Sequence, residues 1–579
     1  MVHGGFTPKP QTRALPWIHQ GPLALGTLDV VRVQGRHGPG GGQRGQRPLV
    51  LVFTLAGMST ASVPTNTGLF GRLAAGYGAQ VSNVVVSSAL QILLVPLFLS
   101  GWGKTVYGDW LMLSAIAGFV GLADLGVGGV LANRLRAAWS RGQAAAFQRT
   151  LATGVAVYGG LVGFWAVVLP VVALALDLPT RLGLAAGDDA PTIFLWLACA
   201  NLLMVPRTLA TAIYSARGEF GREGLLNLVY YCGQSLLVGV SVVCGAGPVN
   251  AAAVYFAAGL ALGWGPLLVD VANRHRDVRL MAVVPTRTEL AELAAKAPFY
   301  LVPAGAWIVL LQLPVVILGL LSTPETVVAF TTMRTFTGLT RQVTIQFFAI
   351  TAVEMARQYT QGDTEGLLRL YRDSGRMIGA ITGLLAGFSL VAGPSFFVLW
   401  TRGAVAFDPL LAEVFLATTL LLLPSFGSTG LLRLTDHPRA AAASFVLQPL
   451  CAAVVSALLV ALGLGPVGAG LGVGVAELVA PGAWSMMGVS RLLGLRVGAF
   501  IWPILSTAAL ALALGSGAAL AVVRLIPGGR ALDLAVIAVL WLVLVVLPTS
   551  FLLLDARQRA AFRVGLGRWW QRWRGSRLR

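Results

Sequence analysis

Apolar segments long enough to cross a bilayer recur along almost the whole chain, and no other feature constrains its fold as strongly. A spanning helix needs about 20 apolar residues. Windows of that size fit about 14 segments: Gln80–Ser100, Asp109–Ala132, Leu151–Leu176, Pro191–Ser215, Leu225–Cys244, Asn250–Asp270, Ala297–Leu321, Thr326–Ala356, Met377–Trp400, Pro409–Leu432, Ala440–Leu462, Pro466–Val489, Phe500–Leu525 and Leu532–Leu554. Only 11% of the 579 residues are charged and the mean hydropathy is +0.77, whereas soluble domains carry about 25% charge. The expected fold class is all-α, a polytopic membrane protein.

The net charge of +19 does not indicate a nucleic-acid partner, because the arginines cluster in short loops between apolar segments and in the C-terminal tail. If the residues before the first segment are cytoplasmic, the cytoplasmic loops and tail hold 27 basic residues and the opposite side holds five. That asymmetry predicts both termini in the cytoplasm, in a bacterial cytoplasmic (inner) membrane.

A repeat organises the segments. "AAWSRGQAAAFQRTLATG" follows the second and "ARQYTQGDTEGLLRLYRDSG" the eighth, aligning Trp139–Gln143 with Tyr359–Asp363 at an offset of 220 residues. Two six-helix lobes in the same orientation are expected, plus two extra C-terminal helices. The resulting domains are an N-terminal extension (1–78), an N-lobe (79–271), a cytoplasmic linker (272–296), a C-lobe (297–490), spans 13 and 14 (500–554) and a basic cytoplasmic tail (555–579). "GRHGPGGGQRGQR" reads as disorder, and Met58 is expected to be the native start. The tryptophan-rich basic tail suits a segment lying on an anionic leaflet, or a solvated tail.

Chemistry has few places to reside. The cysteines (Cys199, Cys232, Cys244, Cys451) lack metal or redox spacing, and the five histidines fall outside the apolar segments. Nucleotide, zinc and Ser/His/Asp signatures are missing, so no enzyme, cofactor or metal is expected. Intramembrane charges are therefore the informative residues. Arg334 and Arg341, seven apart, share a face of the eighth segment with Thr337 and Gly338, and Gln342 lies nearby; Arg207 follows Pro206 in the fourth segment. An arginine at bilayer depth costs at least ~2.5–3.5 kcal/mol, and its planar fork matches phosphate. These three arginines are candidate anion ligands in a cavity; the competing reading pairs them with Asp124 or Glu477. Two cations on one face exceed what one carboxylate neutralises.

Asp124, in "FVGLADLGVGGVLANRL", and Glu477, in "GVGVAELVAPG", are isolated acids with two readings each: structural pairing, or coupling and gating. Asp124 is expected on one helix face with Gly121 and Gly128, at the cytoplasmic base of the lobe interface and neutralised by arginine, Arg134 being two to three turns away. Gln312 and Gln91 interrupt apolar runs and serve either as helix–helix hydrogen bonds or as cavity groups.

"YGDWLMLSAIAGFVGLADLGVGGVLANRLRAAWSRGQ", Tyr107 to Gln143, resembles the second span of polysaccharide flippases of the MOP exporter superfamily, through its Tyr-Gly-Asp-Trp entry, Asp-Leu-Gly turn and Asn-Arg-Leu exit; "YSARGEFGREGLLNLVYY" also fits. The resemblance implies two six-helix bundles around a central cavity, alternating access, and transport of oligosaccharide carried on polyprenyl pyrophosphate for O-antigen, lipopolysaccharide or exopolysaccharide synthesis, with a polymerase and glycosyltransferases as partners. Cavity cations would hold the pyrophosphate or acidic sugars. Lipid II flippases of the superfamily carry several first-span arginines; "QVSNVVVSSALQILLVPLFLS" has none, which favours a surface or exopolysaccharide unit. The alternatives are a MATE-like drug/cation antiporter, expected to show an acidic aromatic cavity, and a non-transporting scaffold of a polysaccharide synthase.

Overall fold

A computed structural model describes residues 69–175, 184–185, 187–434, 438–494 and 496–525. The expected Met58 start, the fourteenth segment and the basic tail lie outside the described residues. Within them the chain is all helical, with no strand. Among the described residues, nine helices are long and apolar enough to cross a membrane, ten if the bent pair Pro409–Leu421 and Leu423–Leu432 counts as one span. Sequence windows give more segments because some of these helices join two of them. Ser88–Asp124 contains the first two around a reversal at Gly103 (φ 75°), and Phe445–Leu493 contains the eleventh and twelfth. Phe98 and Trp110 show the reversal. Their ring centroids are 6.0 Å apart, whereas twelve residues of continuous helix would advance ~18 Å.

The helices are numbered here in chain order: α1 Leu69–Gly118, α2 Val127–Ser140, α3 Ala144–Ala175, α4 Ala190–Met204, α5 Arg207–Ala216, α6 Phe220–Val243, α7 Pro248–Ala258, α8 Gly265–Arg274, α9 Arg287–Lys296, α10 Pro298–Leu321, α11 Pro324–Thr360 and α12 Thr364–Val391. The chain continues through α13 Gly393–Trp400, α14 Pro409–Leu421, α15 Leu423–Leu434, α16 Pro438–Leu459, α17 Gly465–Glu477, α18 Trp484–Leu493 and α19 Val497–Leu525.

The 220-residue repeat has a geometric counterpart. Gly142 and Gly362 take φ of 67° and 73°. Gly142 donates to Trp139 O and Gly362 to Tyr359 O, both at 3.0 Å, and Gln143→Ala138 O is matched by Asp363→Gln358 O. Two further correspondences went unread in the sequence. "GAGPV" (245–249) and "GLGPV" (463–467) both turn on a positive-φ glycine, at 85° and 88°. Each precedes a helix that passes through a π-helical stretch, Gly259–Trp264 or Leu478–Ala483. Proline-linked breaks also recur, at Val205–Pro206 between α4 and α5 and at Leu422 between α14 and α15, one residue before Leu423-Pro424; proline removes an N–H and crowds the preceding turn.

The helix expected over Asp109–Ala132 is not continuous. After α1 the chain tightens into the 3₁₀ turn Phe119–Asp124, then Leu125 (φ 49°) and Gly126 (φ 79°) take left-handed conformations and α2 begins. The break is a docking point. A Cβ on Gly126 would lie 2.1 Å from Ala297 O and 2.6 Å from Leu301 N, at the start of α10. The same α1–α2 segment meets α11 at its other end, where a Cβ on Gly108 would lie 2.5 Å from Pro324 O and Thr105 Oγ1 donates to Glu325 Oε1 at 2.7 Å.

Beyond the repeat, α19 packs along α12 through a glycine stripe, Gly375, Gly379, Gly383 and Gly387, where added side chains would collide with Ile504, Ala508, Leu512 or Ser516. Small residues every fourth position let two membrane helices approach closely.

The linker helix α9 is tied to the N-terminal half by charge. Arg134 pairs with Glu292 at 2.9 Å and Arg149 with Glu289 at 2.7 Å, while Thr286 and Glu289 form a capping box. The Arg149 hydrogen bond, helped by the Thr286 backbone N–H, lowers the Glu289 carboxyl from 4.5 to about 2.

A carboxylate with a depressed folded-state pKa stabilises above its unfolded value and loses that contribution as pH falls through the folded one. The protection factors of the α9 amides, corrected for the fall in intrinsic exchange rate, are therefore expected to drop between pH 4.5 and 2, and Glu289→Gln to flatten that dependence. Gly126→Ala is expected to lower the melting temperature in detergent by several degrees, because backbone atoms of α10 cannot yield. Gly142→Ala, with nothing within 4 Å, bears only the backbone strain of ~1 kcal/mol.

Candidate functional site

α11 is the polar axis of the described structure and, at 37 residues, is not among the nine apolar helices. Threonine-rich faces survive in an apolar surround because their hydroxyls turn back on the helix: Thr331, Thr335, Thr337 and Thr344 donate to Val327, Thr331, Met333 and Thr340 carbonyls at 2.8–2.9 Å. Arg334 lies ten residues from the helix start, about 15 Å along the axis.

The two arginines have different partners. Arg341 forms a two-pronged pair with Glu477, Nη1 to Oε2 at 2.6 Å and Nη2 to Oε1 at 2.5 Å, and its guanidinium lies 5.8 Å from the Phe426 ring. Glu477 is buried at the end of α17, where Pro481 accompanies the π-helical stretch. Arg334 has no carboxylate partner among the described residues. Its Nη1 donates to Leu311 O at 2.8 Å, and the guanidinium sits 5.3 Å from the Phe330 ring.

Arg334 lines two cavities of about 290 Å³ each. The first lies between the α1 segment after Gly103, α4, α7, α10 and α11, and its polar lining is Trp110, Ser114, Asn201, Tyr255, Gln312 and Thr331. The second is lined by Gln91, Thr337, Gly338, Arg341, Gln342 and Glu477, among more apolar side chains. Gln342 Nε2 donates to Gln91 Oε1 at 3.1 Å, joining α11 to α1.

Most of the expected residues thus converge. Arg334, Arg341, Glu477, Thr337, Gln342 and Gln312 all line one cavity or the other. Two do not. Arg207 lines neither. It donates from Nε to Gly263 O at 2.9 Å and from Nη1 to Asn227 at 2.6 Å, and lies over Tyr230. Those contacts pin the break before α5 to the π-helical stretch after α7, so the expected cavity position of Arg207 is corrected to a position inside the helix packing.

Asp124 also lies outside both cavities, and among the described residues no arginine neutralises it, because Arg134 is spent on Glu292. The interrupted helix turns Asp124 into the cap of α2. Both carboxylate oxygens accept from Gly128 N, at 3.2 and 3.3 Å, and Tyr158 Oη donates to Oδ1 at 2.5 Å. Thr208 Oγ1 lies 3.1 Å from the same tyrosine oxygen.

Sequence reading missed Trp110, Ser114, Asn201 and Tyr255. Ser114 in "LMLSAIAG" and Asn201 in "LACANLLM" are lone polar residues in apolar runs, the same signal that marked Gln312.

Among solved structures, the chain resembles an inward-facing multidrug-resistance MATE transporter of the MOP superfamily, with a TM-score of 0.55 and 16% identity over 70% of this chain and 95% of that one. It also resembles the lipid II flippase MurJ in its inward closed conformation, with a TM-score of 0.59 and 10% identity over 80% and 98%. The fold is shared with these two solved structures. No family model and no curated protein matches the sequence.

The Arg341–Glu477 pair can be tested on its own. Breaking one side of a buried ion pair leaves an uncompensated charge and costs several kcal/mol, whereas replacing both partners with apolar groups is often neutral. Glu477→Gln is expected to destabilise by roughly 3 kcal/mol, read as a lower melting temperature in detergent. The double replacement Arg341→Met/Glu477→Met is expected to recover most of that loss.

Proposed function

We propose that this chain is a membrane flippase that carries polyprenyl-pyrophosphate-linked oligosaccharide units across the bacterial cytoplasmic membrane by alternating access between two six-helix lobes, without an enzymatic step. The observation that carries the reading is Arg334, a cation at bilayer depth with no carboxylate partner among the described residues, lining both cavities. Pyrophosphate supplies the missing anion. Arg341 is matched by Glu477, so Arg334 is the primary ligand and Arg341 the supporting one. Asp124 and Glu477 remain the groups for gating or coupling, Asp124 through its hold on the α2 cap and Glu477 through its release from Arg341. Thr337, Gln342 and Gln312 serve as polar contacts, and Arg207 as a packing residue. Moving charge through the membrane potential is worth ~2.3 kcal/mol per charge per 100 mV, so the dianionic headgroup makes transport voltage-sensitive. The product would feed surface or exopolysaccharide synthesis, such as O-antigen, beside its polymerase and glycosyltransferases.

The MATE likeness supports a second reading, a drug/cation antiporter using Glu477 as its acid. An unpaired arginine between the cavities repels a cationic drug and weighs against it.

A deletion strain separates the readings when its lipid-linked oligosaccharides are extracted and quantified by mass spectrometry. A lipid-linked repeat unit is expected to accumulate and to be cleared by the wild-type chain. Arg334→Ala, at normal membrane level, is expected to leave it uncleared. Gly338→Leu is expected to do the same: Gly338 lines the second cavity, an added Cβ meets nothing within 4 Å, and leucine favours helix over glycine by ~0.8 kcal/mol. Raised sensitivity to cationic drugs without lipid accumulation would establish the antiporter reading. Full polymer synthesis with both variants would establish the scaffold.

A further inference from the structure

The first cavity combines one charge with several uncommitted neutral polar groups. Trp110 Nε1, Ser114 Oγ, Tyr255 Oη and the Gln312 amide make no hydrogen bond among the described residues, although all four line the cavity. Asn201 spends its Nδ2 on the carbonyls of Ala117 (3.3 Å) and Leu197 (3.0 Å), leaving its Oδ1 open. Polar groups withdrawn from bulk water are normally paired, and leaving them unpaired against an apolar ligand is costly. The cavity therefore selects a ligand that itself presents several donors and acceptors. Its volume of about 290 Å³ is at the lower end for small-molecule sites, the size of one ring and its substituents rather than a chain.

The charge balance narrows the class. Arg334 is the only charged side chain in this lining, and the neighbouring cation, Arg341, is held by Glu477. A pyrophosphate on Arg334 leaves no cation for a second acid. We infer that the first cavity is a subsite for an uncharged sugar, the saccharide bonded directly to the pyrophosphate, held by the amides of Gln312 and Asn201 with Trp110 and Tyr255 beside the ring. This rests on the flippase reading and adds to it the chemical class of the first sugar. Gly118 belongs to the same site: the Gln312 amide packs against it, and an added Cβ would lie 2.9 Å from Nε2, so the absent side chain gives the amide its place.

The test is binding to the full chain in lipid nanodiscs by isothermal titration calorimetry, with three probes: farnesyl pyrophosphate, farnesyl-pyrophosphoryl-N-acetylglucosamine, and the same lipid carrying glucuronic acid. The neutral sugar is expected to tighten binding roughly tenfold over bare pyrophosphate, and glucuronic acid to give no gain. Asn201→Ala is expected to remove most of the gain while leaving farnesyl pyrophosphate unchanged, and Gln312→Met, of similar length, to remove most of the gain as well; Arg334→Met should weaken all three probes. Equal binding of the sugar-bearing and bare lipids, a gain from glucuronic acid as large as from the neutral sugar, or a gain that survives both amide variants would overturn the subsite while leaving the flippase reading intact. Failure of every pyrophosphate probe to bind would remove the flippase reading itself, and the subsite with it.

Discussion

A cation withdrawn from water has to be answered by an anion, by carbonyl dipoles or by an aromatic face, and α11 uses all three. Arg341 takes the carboxylate of Glu477, while Arg334 has only the Leu311 carbonyl and the Phe330 ring. The difference sets the chemistry of the interior. A matched pair is locally neutral and anchors α11 to α17. An unmatched arginine makes the wall between the two cavities an electropositive surface whose remaining donors are open to a ligand. The threonines extend this arrangement by returning their hydroxyls to the helix backbone, which leaves the helix polar in composition but largely satisfied in its hydrogen bonds.

The remaining architecture brings other helices to that axis. Along α1 and the turn that follows it, three close approaches succeed one another: Gly108 on Pro324, Gly118 on Gln312 and Gly126 on the start of α10. The first and last are backbone contacts that clasp the two halves of the chain near opposite ends of this segment. The middle one is a side chain against an open α-carbon, and the first cavity lies there. Glycine at all three positions keeps the separation small, so one segment both joins the halves and lines the site between them. Both clasps sit within one buried apolar cluster that includes Tyr107, Trp110, Val127, Ala297 and Val327.

Sequence patterning disclosed the helices because hydropathy is additive along a segment, and it disclosed the intramembrane charges because each is conspicuous in an apolar run. Arg341 with Glu477 was one of two pairings the sequence left open, and only the fold could bring residues 136 positions apart within 2.5 Å. Arg207 was misplaced for the same reason. Its charge was legible, but the carbonyl exposed at Gly263 by a π-helical stretch was not, since such a stretch depends on how α7 packs rather than on composition. Trp110, Asn201 and Tyr255 were passed over because neutral polar residues in membrane helices so often serve helix pairing. What singles them out is convergence on one space, a property of three separate helices that no single one of them reveals.

Asp124 shows how local chemistry can contradict periodicity. At 3.6 residues per turn, Gly121, Asp124 and Gly128 share a face, and an acid there calls for an arginine. The motif Asp-Leu-Gly has a second meaning, an acceptor side chain followed by a residue that tolerates a left-handed backbone, which is how a chain stops one helix and caps the next. The structure follows the second. Asp124 accepts from the Gly128 amide at the N-terminus of α2, where the helix dipole favours negative charge, and Tyr158 and Thr208 extend the network into α3 and α5. The carboxyl group is thus hydrogen-bonded without a cation partner, and it holds the break between α1 and α2 that docks on α10. Any change in the charge or partners of Asp124 therefore acts directly on the clasp between the two halves, although Asp124 lines neither cavity.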